Sequence, residues 1–211
     1  MFLLITGASG AGKSTARLGV APVLSPDVEC IELHDVIDVP AFPTLAWRQQ
    51  ATEAAVQRAL GLQDDNRHLL LSGDPVATGE VLAAPSAIHL QGVAACLLDV
   101  SPEAQSARLN RRGDDPALMA DHHAFARWMR GHARDPRHMP QVLISNGWEA
   151  MRWERWTGLD IESGWGMEAI DTSGLSPEQV AAEVVAWCHR VFRGEAHVMF
   201  PTDGCDHQAV D

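Results

Sequence analysis

The stretch Gly7 to Thr15, GASGAGKST, constrains the fold more than any other part of the 211-residue chain. It follows Phe2 to Thr6, a continuous apolar run suited to a strand buried on both faces. It leads into Ser14 to Leu24, which reads as a helix that stops near Pro26. A strand covered on both faces belongs to a parallel sheet with helices on either side, so the order strand, glycine loop, helix asks for an α/β layer structure.

Gly7, Gly12, Lys13 and Ser14 match the pattern GxxxxGK[ST]. Glycines let such a loop turn its amides inward toward phosphate oxygens, and the helix that follows adds the positive end of its dipole. Gly7, Ser9, Gly10, Ala11, Gly12, Lys13, Ser14 and Thr15 are therefore the expected nucleotide-binding residues, with the Ser14 hydroxyl a ligand for Mg²⁺. Lys13 is the only lysine; the other fifteen basic residues are arginines. A compact ammonium reaches the β- and γ-phosphates where a wide planar guanidinium does not fit. The alternative is a chance glycine loop between a strand and a helix.

The formal net charge of -12 argues against nucleic acid or an anionic membrane as partner, since phosphate-backbone affinity needs clustered positive charge. Cys30, Cys96, Cys188 and Cys205 form no CxxC pair, so neither a zinc site nor a disulfide framework is indicated, and reduced thiols in the cytoplasm are the simplest reading. The apolar N-terminus is short and lacks a basic region, which makes it a strand rather than a signal peptide. No apolar run approaches the roughly 20 residues of a membrane span.

Further apolar runs read as strands at Glu29 to Leu33, His68 to Ser72, Val93 to Val100 and Glu168 to Asp171, five with the first. Helices are expected at Thr44 to Leu62, Pro102 to Arg112, His122 to Ala133, Gln141 to Trp156 and Pro177 to Phe192. Ser101-Pro102-Glu103 and Ser176-Pro177-Glu178 each place a capping serine before a proline at the first helical position. Residues 1–193 are expected to form one domain, with a lid at about 113–140, and residues 194–211 a loosely ordered C-terminal tail.

GASGAGKST, CLLDVSPEAQSARLNRRGDDP and AIDTSGLSPEQVAAEVVAW resemble the phosphate-binding loop, the lid-flanking segment and the last strand with its helix in P-loop small-molecule kinases, the group of gluconate kinase, shikimate kinase and adenylate kinase. The resemblance covers roughly residues 1 to 192, and only the loop is specific as a motif. It implies a three-layer α/β sandwich with a five-stranded parallel sheet in the order 2-3-1-4-5, a small helical lid, and ATP at the carboxyl ends of the strands. In these kinases an aspartate after the second strand contacts the acceptor hydroxyl and takes its proton. The resemblance thus points to Asp35, in CIELHDVID, as general base, with Asp38 a further acceptor residue and His34 a neighbour. The competing reading of Asp35 is a solvated loop carboxylate or a helix cap. Asp74, in LSGDP, either binds acceptor or holds Mg²⁺ through water, or is an ordinary Asp-Pro turn.

Arg108, Arg111 and Arg112 close a helix before a polar loop; Arg108 and Arg112, sharing a face, are expected to neutralise charge on the transferring group. The competing reading is a basic helix end that suits the dipole. Arg127, Arg130 and Arg134 make a stripe that reads as a charged solvent face, or binds an anionic acceptor. His122, His123, His132 and His138 lack the spacing of a metal pair. Trp148, Trp153, Trp156 and Trp165 read as an extra helix packed on the core, or wall an acceptor pocket. The expected activity is transfer of the γ-phosphoryl group of ATP to a hydroxyl of a small metabolite or natural product by a monomer or homodimer. The alternatives are a non-kinase ATPase or nucleotide switch, and a polynucleotide 5′-hydroxyl kinase.

Overall fold

The computed structural model describes residues 1–159, 162 and 164–202. Five strands, β1 (Phe2–Thr6), β2 (Val28–Ile31), β3 (His68–Leu71), β4 (Val93–Asp99) and β5 (Glu168–Asp171), form one sheet in the order β2-β3-β1-β4-β5, every pair parallel. This is the expected α/β architecture. The helices are α1 (Lys13–Leu24), α2 (Leu45–Gln63), α3 (Thr78–Ala83), α4 (Pro102–Arg112), α5 (Met119–Arg134), α6 (Gln141–Ile144), α7 (Glu154–Thr157) and α8 (Pro177–Phe192).

Alternation along the central strands builds two cores. Phe2 and Leu4 of β1 join Leu69, Leu71, Ala95 and Leu97 under α2, α3 and α5. Leu3 and Ile5 face the other way, with Leu70, Ala94 and Cys96, against α1 and α8. Successive strand side chains point to opposite faces, so a run apolar at every position can sit only where both faces are covered. The sheet thereby fixes the end of β1, from which the glycine loop departs.

The proline-preceded helices start as expected: Ser101 Oγ accepts from Ala104 N at 3.2 Å and Ser176 Oγ from Gln179 N at 3.3 Å. Two expectations need correction. The single helix over Gln141 to Trp156 is two short pieces, α6 and α7, because Asn146 takes φ 60° and Gly147 packs against Gln49, whose Oε1 accepts from Trp148 N at 2.6 Å. A helix α3 lies where none was expected, its Glu80 accepting from Ala77 N at 2.9 Å and pairing with Arg48 at 2.8 Å while fully buried.

The tryptophans pack inward. Trp156 and Trp165 are 0% and 1% exposed and, with Trp128, surround the ring of His132 at centroid distances of 4.9–5.2 Å. Residues 113–140 hold a 3-10 turn at Pro116–Leu118 and then α5, whose Trp128 and Met129 belong to the core. The segment after Gly194 returns to the sheet, where Met199 bridges Val93 in antiparallel sense and is buried. Residues 203–211 of the expected tail, with Cys205, lie outside the described residues.

Candidate active site

The first helix begins at Lys13 behind Gly12, which takes φ 99° and caps without a side-chain hydrogen bond. Gly7 is at φ 145°, and a side chain there would strike the Leu98 carbonyl of β4, so the loop leaves β1 pressed against its neighbour. The Lys13 side chain folds back inside this turn. It is 6% exposed, and its Nζ donates to Gly7 O at 2.7 Å and Ala8 O at 3.0 Å. Burial lowers its pKa to about 8; Asp74 and Glu32 pull it upward and Arg112 pushes it further down.

A cleft of about 410 Å³ opens over the loop. It is lined by Ser9 to Thr15, by Gly73 and Pro75 after β3, by Arg108, Arg111 and Arg112 of α4, and by Leu175, Pro177 and Val180 at the start of α8. Loop residues and all three arginines thus meet in one place. Arg108 donates to Gly10 O at 3.1 Å and to Thr172 Oγ1 at 2.9 Å, while Arg112, 57% exposed, pairs with Asp114 at 2.5 Å.

The carboxylates gather at the ends of β2 and β3. Asp35 lies in a 3-10 turn over Leu33–Asp35, where its Oδ2 accepts from Glu32 N at 2.8 Å, the capping arrangement that was one of its two readings. The same side chain is 41% exposed, with Oδ1 3.4 Å from His34 Nε2. Asp74 Oδ2 accepts from Leu33 N at 2.9 Å, tying the end of β3 to the turn after β2. Asp38 stands exposed beyond it, its carbonyl taken by Trp47 Nε1 at 3.1 Å.

Sequence reasoning passed over Glu32, which pairs with Arg17 at 3.1 Å, crowds against Gly73 and acts electrostatically on Lys13. Its signal was present: a charged residue immediately after apolar Ile31, at the carboxyl end of a parallel strand, where ligands of such sheets bind. The arginine stripe divides. Arg130 reaches both Asp99 oxygens at 2.7 and 2.8 Å, whereas Arg127 and Arg134 stay exposed.

This sheet order, with the glycine-lysine loop after its central strand, is the fold of the P-loop kinases. Among solved structures, a gluconokinase from Sinorhizobium meliloti 1021 is similar over 91% of this chain and 93% of its own, at 17% identity and a TM-score of 0.51. A sugar kinase from Janibacter sp. HTCC2649 is similar over 89% and 94%, at 16% identity and a TM-score of 0.51. A chain of the Pnkp1/Rnl/Hen1 RNA repair complex matches over 62% of this chain, at 13% identity and a TM-score of 0.47; this chain spans 45% of that longer one. No protein-family model matches the sequence, and no curated protein sequence matches it.

Proposed function

We propose that this protein transfers the γ-phosphoryl group of ATP to a hydroxyl of a small metabolite or natural product. The observation that carries this reading is the placement of Lys13, an almost fully buried ammonium held inside a glycine loop and facing a cleft edged by three arginines. Phosphoryl transfer is promoted mainly by positioning and by cations around the transferring group, and a cleft of this donor set suits a polyanion.

The residues fit both ATP and Mg²⁺. Gly7, Ser9, Gly10, Ala11, Gly12, Lys13, Ser14 and Thr15 would hold the phosphates. The Ser14 hydroxyl directly, and the Asp74 carboxylate through water, would hold Mg²⁺, which keeps most of its waters. Mg²⁺ held there would supply positive charge against the phosphate oxygens. Lys13 draws the β- and γ-phosphates into the loop. Arg112 exchanges its exposed pairing with Asp114 for the transferring group, beside Arg108. Asp35 orients the acceptor hydroxyl and takes its proton on the oxygen not bound to Glu32 N, with Asp38 flanking the acceptor. The acidic balance of the chain favours a small acceptor over a nucleic acid, and free Cys30, Cys96 and Cys188 suit a reducing cytoplasm.

The test is a panel of hydroxyl compounds incubated with Mg·ATP and followed by mass. ADP release that requires one compound, with that compound gaining the mass of one phosphate, supports the reading. Release that ignores every acceptor and responds to a protein partner overturns it in favour of a nucleotide switch.

A further inference from the structure

We infer that Gln105 and Thr172, with Arg108, are positioning residues that hold the nucleotide loop in its binding shape from outside the loop. This rests on the proposed nucleotide-binding role and adds Gln105 and Thr172, which no motif in the sequence marks.

Three successive loop carbonyls each accept a hydrogen bond from a side chain elsewhere in the chain. Ser9 O accepts from Gln105 Nε2 at 2.8 Å, Gly10 O from Arg108 Nη1 at 3.1 Å, and Ala11 O from Thr172 Oγ1 at 3.0 Å. The two carbonyls before them, of Gly7 and Ala8, are held by Lys13. Every carbonyl from Gly7 to Ala11 therefore has a side-chain donor.

The donors are themselves fixed. Gln105 and Thr172 are both 0% exposed. The Gln105 amide nitrogen meets two carbonyls, of Ser9 and, at 3.4 Å, of His122, which sets which end of the amide faces the loop. A hydroxyl has one proton, and Thr172 Oγ1 lies near both Ala11 O and Asp99 O. Asp99 O also accepts from Thr172 N at 2.8 Å, so giving the hydroxyl proton to Ala11 O leaves both carbonyls with a donor. Arg108 bonds Thr172 as well as the loop, so α4 and the turn after β5 grip the loop together.

A trans peptide is planar, with its carbonyl and the next amide pointing in opposite directions. Pulling Ser9 O and Ala11 O toward the buried Gln105 and Thr172 thus turns the Gly10 and Gly12 amides away from those side chains, to the side of the cleft that both glycines line. Glycines at 7, 10 and 12 make a free loop costly to order, and ordering it before the ligand arrives converts that cost into affinity.

The experiment measures Mg·ATP affinity by calorimetry, with thermal unfolding alongside, for wild type, Thr172→Val, Thr172→Ser and Gln105→Met. Thr172→Val removes the donor while keeping the shape, and we expect its Mg·ATP affinity to fall about tenfold, the size of one buried hydrogen bond. Thr172→Ser keeps the hydroxyl and should bind as wild type does. Gln105→Met should weaken binding by a similar factor, and it reports independently if Thr172→Val fails to fold. Wild-type affinity in Gln105→Met or a folded Thr172→Val overturns the inference, as does equal loss in Thr172→Ser and Thr172→Val. A wild-type protein that takes up no Mg·ATP overturns the nucleotide reading itself.

Discussion

Lys13 donates its ammonium proton to the carbonyl of Gly7 at 2.7 Å, six residues back along the chain, and so closes the glycine loop into a ring. The ring explains the one lysine among fifteen arginines. Its interior admits a single nitrogen on a thin stem, and a planar fork of five donors would not enter without opening the turn.

Replacing Lys13 by alanine should abolish turnover, a loss of at least about a hundredfold, while the protein stays folded. The substitution removes a buried charge and leaves the core contacts of α1 in place. Steady-state rates together with a circular dichroism melt check both halves of this prediction.

Nucleotide affinity should also depend on pH through Lys13. Its pKa in the free protein is about 8, and a bound triphosphate raises it, so binding favours the charged form. The dissociation constant for Mg·ATP should stay level below pH 8 and rise as pH climbs above it. A flat profile from pH 7 to 9.5 would contradict this.

Asp35→Asn should lower the transfer rate about a hundredfold and leave the Mg·ATP dissociation constant within twofold, because the amide keeps the shape but accepts no proton. Full transfer rate in this variant would remove Asp35 from the mechanism and leave Glu32 and Asp74, the carboxylates that act electrostatically on the loop lysine.

Glu80→Ala should destabilise the fold by about 3 kcal/mol, since it leaves Arg48 without its buried partner. Glu80 is 0% exposed, takes both Nε and Nη2 of Arg48 on one oxygen, and caps α3 through Ala77 N. Urea unfolding monitored by tryptophan fluorescence measures the loss.

His132 should make the fold acid-sensitive. Burial lowers its pKa to about 3 from an ordinary 6.5, with His138 lowering it further and Asp135 opposing. Protons therefore bind the unfolded chain in preference, so the stability His132 contributes is complete above pH 6.5 and is lost as pH falls toward 3. His132→Phe, with no titrating ring in the tryptophan cage, should show a shallower fall in melting temperature between pH 6.5 and pH 4.

Much of the fold was written locally. A run apolar at every position, as in Phe2 to Thr6 and Val93 to Val100, has only one environment open to it, a sheet covered on both faces. Serine before proline marked the starts of α4 and α8 because capping is a matter of neighbours in the chain. The residues from Gln141 to Trp156 read as one helix, and the break is set by Asn146 at φ 60° and by Gln49, 99 residues before Trp148, taking the Trp148 amide.

The sequence by itself determined what surrounds one loop: a buried strand before it, glycines where the backbone must turn, and a lysine where a small cation must reach inward. Those requirements are met by residues adjacent in the chain, so adjacency reveals them. Tertiary structure alone decided that Glu32 stands beside Lys13, that Asp35 spends one oxygen on a cap, and that Gln105, Arg108 and Thr172 hold the loop's carbonyls. Each is a contact between a side chain and a partner set by how strands and helices pack, and a glutamine early in a helix reads the same whether it faces water or a phosphate loop.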